Sequence, residues 1–199
     1  MTELAALLHR WDECWARAGV RLDEHLAAGA AADDVRARLA EAGLSAAPAE
    51  VVEWFGWHSC RCDPDTSPVD HQPAALEWAL AERAGRLADA GRAAADMAPD
   101  DAPWNRAEHW FRPSWLPLAS SGGGVVVAEI EPGAPTCRVF DVQWDRAGWD
   151  WNTPVAGSLG DALKQWIAQV DSGAWTFTPG RSRAEAAGLS IEVRTPRLL

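Results

Sequence analysis

The chain gathers its most reactive side chains around residues 58–71. His58-Ser59-Cys60-Arg61-Cys62 is followed by Asp63, Asp65 and His71. Thiolates, imidazoles and carboxylates at close spacing are the ligand set of a zinc site. The spacing argues against one, because paired zinc cysteines usually stand about two to four residues apart. Cys60 and Cys62 flank a single residue on one tight bend, and no second cysteine pair follows. The cluster reads as a loop with two incidental thiols, with no metal and no cofactor.

A second group is carboxylate: Glu129, Glu131, Asp141 and Asp145. Two such groups across a cleft hydrolyse glycosidic bonds, but one of them must hold a raised pKa, which spacing alone does not provide. Ser120-Ser121-Gly122-Gly123-Gly124 has the glycine content of a phosphate loop. Phosphate loops lead from a strand into a helix and carry Lys before Ser or Thr. Here a second apolar run follows, so the glycines make a hairpin turn. The fingerprints of serine hydrolases, zinc proteases and dinucleotide enzymes do not occur. Recognition chemistry is better represented. Trp149-Asp150-Trp151-Asn152 lies in a stretch bounded by Gly and Pro, where two indoles beside carboxylates suit a contact tip. Asp141, Asp145, Trp149, Asp150 and Trp151 are therefore the candidate partner-binding residues, and no residue is assigned to catalysis.

The elements that must position these groups follow from periodicity. Three β-rich runs, 114–119, 125–130 and 136–144, are separated by Gly and Pro clusters, which predicts consecutive antiparallel strands. In the third, Cys137, Val139 and Asp141 share one face, while Arg138, Phe140, Val142 and Trp144 share the other. The second face is the more apolar and is expected to meet the core. Ser158 with Asp161 is a capping-box variant opening a helix whose stripe is Leu159, Leu163, Trp166, Ile167 and Val170. Gly173 is placed to end it. Leu4, Leu7, Leu8, Trp11 and Trp15 predict a helix at the N-terminus. Asp33-Asp34 opens another that stops at Gly43, with Leu44 returning onto Leu39. Pro48 as first helical residue starts a short, nearly all-apolar helix carrying Val51, Val52, Trp54, Phe55 and Trp57, which breaks down at His58-Ser59-Cys60. After a polar loop to Gln72, Pro73 starts a helix with Leu76, Trp78, Leu80 and Leu87, and residues 93–103 read as loop. Leu189–Val193 is an edge-strand candidate.

With 199 residues the chain can bury a substantial core, to which 13 Trp contribute large apolar areas. Its formal charge of −11 argues against nucleic acid, whose phosphates call for clustered Lys and Arg. No run is long and apolar enough for a membrane span, and the N-terminus lacks the features of a signal peptide, so a cytoplasmic protein is expected.

Two separated blocks, 44–58 and 115–177, resemble the SUKH superfamily, which unites fungal regulators of cell-wall synthesis (the Smi/Knr type) with bacterial immunity proteins. The resemblance rests on Glu53-Trp54-Phe55-Gly56-Trp57-His58, Trp115-Leu116-Pro117-Leu118-Ala119, Glu129-Ile130-Glu131-Pro132-Gly133 and Ser158-Leu159-Gly160-Asp161-Ala162-Leu163. The sequence departs from that pattern at Cys60, at Gly124 and in a longer insert at 61–109. The resemblance implies an α+β fold, a mainly antiparallel sheet packed by helices, and no catalysis. It divides the chain into an N-terminal helical extension (1–43), a SUKH-like domain (44–177) with a helical insert (61–109), and a C-terminal tail (178–199). The function it implies is binding and neutralising a toxin, a basic one given the charge. The alternatives are a scaffold protein of the same fold or a hydrolase using the acidic strand residues.

Overall fold

The structure is a computed structural model that describes residues 2–17, 26–60, 74–96, 111–121, 124–143, 153–173, 175–179 and 189–193. The fold is α+β. Helices α1 (Glu3–Arg17), α2 (Ala32–Glu41), α3 (Ala49–Trp57), α4 (Leu76–Asp96) and α5 (Leu159–Asp171) accompany three antiparallel sheets. The central sheet is a meander of β3 (Trp115–Ser121), β4 (Gly124–Glu129) and β5 (Arg138–Gln143). A two-stranded ribbon pairs β1 (Leu26–Ala28) with β2 (His58–Cys60), and a hairpin pairs β6 (Trp175–Pro179) with β7 (Leu189–Val193). Among the described residues no helix is long and apolar enough to cross a membrane.

Both faces of the central sheet are buried: the Phe140 and Val142 face of β5 meets a core as expected, and the opposite face is covered as well. Cys137 and Val139 point into the larger core, with Leu116, Leu118, Val126 and Ala128 from the neighbouring strands. Phe140 and Val142 point into a smaller one with Phe111, Trp115, Val125 and Val127. The apolar count of one face says which side is greasier, not whether the other side is also covered. Here α3 and α5 supply the larger core, while α4 runs beside β3. Leu76 and Ala79 of α4 join the larger core, and Trp78 and Leu87 pack on the smaller one.

Three indoles from three helices meet in the larger core. Trp166 lies 6.3 Å from Trp11 and 6.3 Å from Trp54, ring centre to ring centre, within the range where aromatic pairs gain beyond their buried area. The apolar stripe of α5 is buried as its spacing predicts, but it packs chiefly on α1. An amphipathic N-terminal helix offers α5 a partner of matching shape.

Helix ends follow local chemistry closely. The Ser158 Oγ accepts the Asp161 amide at 3.0 Å, and Gly173 takes φ 73° just past the end of α5. Gly43 takes φ 77°, with Leu44 N donating to Leu39 O and Gly43 N to Ala40 O, which is the Schellman pairing. Pro48 is the N-cap residue of α3, one position earlier than expected. α3 ends at His58 as expected, and His58-Ser59-Cys60 then forms a strand; one expectation fails, since α4 continues through 93–96, where alanine-rich sequence favours helix.

Candidate functional site

Of the five candidate partner-binding residues only Asp141 is among the described ones; Asp145, Trp149, Asp150 and Trp151 lie outside them. Asp141 sits on β5 opposite Val126, half-buried and engaged in a contact, so it is not a free surface carboxylate. The loop of the sequence reading therefore has no geometry to set beside it. Cys62, Asp63, Asp65 and His71 also lie outside the described residues.

Two polar junctions hold together the blocks whose order carries the resemblance. The first is at Leu118, where the register of β3 on β4 shifts between Pro117 and Ala119. Such a bulge takes a carbonyl out of the ladder and re-aims it. The Leu118 oxygen accepts Trp54 Nε1 from α3 at 3.1 Å and the Ala74 amide, just ahead of α4, at 2.9 Å. The second is at Glu50, in the first turn of α3. Its carboxylate accepts the Leu159 amide at the start of α5 at 3.2 Å and the Cys137 amide ahead of β5. An anion there satisfies an orphan amide of α5 and meets the positive end of that helix. The Cys137 thiol is pushed far up from its usual value by burial first and by the Glu50 charge second, so it is an inert core group.

The other carboxylates are also structurally engaged. Glu129 is buried, 3.2 Å from Arg112 and 2.6 Å from Arg138, and Arg138 donates to Glu131 as well. The Arg112 guanidinium stacks 4.8 Å from the centre of the Trp115 ring. Glu129, one of the acids of the hydrolase alternative, is thus the centre of an ion cluster on the sheet. Asp12 of α1 accepts Trp57 Nε1 at 3.2 Å and faces His58 Nε2 at 3.6 Å, while His58 Nδ1 lies 3.4 Å from Ala27 O. His58 therefore braces the end of α3 against α1 and β1.

A concavity on described residues lies between α1, α2 and α3. It is a groove of about 400 Å³ floored by Leu8 and Val52, walled by Ala5, Ala30 and Trp57, with Arg36 and Glu53 at its rim. A second hollow of about 400 Å³ adjoins it across Arg36, Ala49 and Val52 and reaches Leu39 and Leu44. Alanines open these hollows, since their side chains stop short of the space between the helices. The Ala30 wall is held against α3. Ala30 N donates to Phe55 O at 2.9 Å, and a Cβ added to Gly29 would fall 2.3 Å from the Gly56 carbonyl carbon. That closeness requires glycine at 29. Periodicity gave no hint of this groove, because alanine at a helix surface is read as propensity rather than as missing volume.

Neither protein-family models nor curated proteins yield a match to this chain.

Proposed function

We propose that this chain is a non-enzymatic, cytoplasmic binding protein of the SUKH type, and specifically an immunity protein that covers and neutralises a basic toxin. The observation that supports it most is the meeting of the two sequence blocks. Trp54 of the helix motif bonds to Leu118 of the Trp-x-Pro-Leu-Ala strand, and Glu50 bonds to Leu159 of the Ser-Leu helix. Block 44–58 is thus bonded at two points to block 115–177. The formal charge of −11 supplies the second argument, since complementary fields accelerate encounter with a cationic partner. A scaffold role on the same fold and a hydrolase using Glu129 are the competing readings.

The test is co-expression with the protein encoded immediately beside this gene. Rescue of growth from that protein's toxicity, with a complex that survives purification and weakens as salt rises, is the expected result. Growth arrest unrelieved by this chain would sink the immunity reading. A hydrolytic rate abolished by Glu129→Gln would replace it with the enzyme.

A further inference from the structure

We infer that the groove between α1, α2 and α3 is where the partner docks, and that its occupant is a basic segment seating one large apolar side chain. The inference rests on the proposed binding function and names the site for it. Three observations carry it. The groove is preformed, because the Ala30–Phe55 hydrogen bond and the Gly29–Gly56 approach hold its Ala30 wall against α3. Its volume of about 400 Å³ falls at the low end of the roughly 300–1,000 Å³ typical of ligand pockets, which suits one anchoring residue better than a cofactor. Its surroundings select charge. Glu53 stands at the rim, its carboxylate accepting the Thr2 hydroxyl at 2.5 Å, and Asp34 is exposed two residues beyond Ala32, which lines the groove. The single rim cation, Arg36, is already held by Asp33 at 3.1 Å.

An apolar anchor flanked by Lys or Arg would bury its side chain against Leu8, Val52 and Trp57 while its cations face Glu53 and Asp34. Central apolar contacts then give affinity and rim charges give rate and selectivity. Ala49 is the natural point of control. It is exposed, lines both hollows, and leaves the space a large side chain would fill.

The experiment titrates isotope-labelled protein with three five-residue peptides: basic with a central leucine, basic with a central serine, and acidic with a central leucine. The expected result is saturable shifts of the Ala5, Ala49 and Gly56 amides with the basic leucine peptide. Binding should be at least about ten-fold weaker for the serine and acidic peptides. Ala49→Trp should reduce the leucine peptide's affinity at least about ten-fold at an unchanged thermal midpoint. Should that variant not fold, Glu53→Lys should weaken the basic peptide and strengthen the acidic one. Equal affinity for leucine and serine peptides, shifts scattered over the acidic surface, or preference for the acidic peptide each overturns the proposal. The two readings fail separately. A toxin complex indifferent to Ala49→Trp removes the groove and keeps the immunity function, whereas peptide binding without any neutralised toxin does the reverse.

Discussion

Removing the Glu50 carboxylate tests the junction that joins α3, α5 and the start of β5. In the folded protein its two oxygens accept the Leu159 and Cys137 amides. Hydrogen bonds to a charged group contribute about 1.5–3 kcal/mol each, and a buried donor left unpaired costs about 1–3 kcal/mol. The anion at the start of α5 adds about 0.3–1 kcal/mol. The two bonds share one side chain and do not add fully. Glu50→Ala is therefore expected to lose about 3–4 kcal/mol. Glu50→Gln keeps one carbonyl oxygen for one amide and is expected to lose about half as much. Urea unfolding at neutral pH gives both values, and amide hydrogen exchange localises them. Leu159 and Cys137 should exchange faster in Glu50→Ala while the β3–β4 ladder stays protected. A loss below about 0.5 kcal/mol, or unchanged exchange at both amides, would show that water replaces this carboxylate at little cost and would refute the reasoning.

Three further expectations follow from the packing. Gly29→Ala places a methyl against the Gly56 backbone, which cannot swing away, so it should destabilise by about 1–3 kcal/mol in the same unfolding assay. A neutral result would mean the approach is looser than described. Cys14 and Cys137 are both buried, and burial raises both thiols, so neither should react with an alkylating reagent until the protein is unfolded. Mass spectrometry after native labelling checks this, and modification of either at the native rate of a free thiol contradicts it. The Asp171 carboxyl is held below its usual value, first by its hydrogen bond to Arg10 and then by the Arg17 charge. A depressed carboxyl contributes stability above its unfolded pKa that is lost as pH falls through the folded one. Acid unfolding of wild type should therefore include a component below the ordinary carboxylate range that Asp171→Asn lacks. Superimposable acid limbs would assign the clamp no role.

Legibility in the sequence followed the range of each interaction. Ser158, Gly43 and Gly173 were readable because caps and left-handed turns depend on residues within one helical turn. The stripe of Leu159, Leu163, Trp166 and Ile167 was readable by period, though nothing local said that α1 would share in covering it. The β1–β2 ribbon was not readable: three residues a side, joined by Leu26↔Cys60 pairing, carry no alternation long enough to register. Glu50 sits in the first turn of its own helix, and nothing local points to its partner amide 109 positions away. The core under Phe140 and Val142 was readable from the apolar face of β5, whereas burial of the Cys137 and Val139 face was not, because a strand's pattern does not say that both faces have covers. Trp149 and Trp151 were singled out by composition, whereas the groove is defined by side chains that are small, and absence of volume leaves no mark on hydropathy.

The carbonyl of Leu118 has a bearing on how this chain can be lengthened. It pins Ala74 to the sheet, and the ribbon pairs Cys60 with Leu26, so the polypeptide between 60 and 74 departs from and returns to fixed points. Extending a segment whose two ends are already anchored adds only closure entropy, about 0.6 kcal/mol for each doubling of its length. A reporter peptide inserted between these two anchors is accordingly expected to leave Cys60 paired with Leu26 and Ala74 bonded to Leu118, which amide hydrogen exchange at the two ends would check.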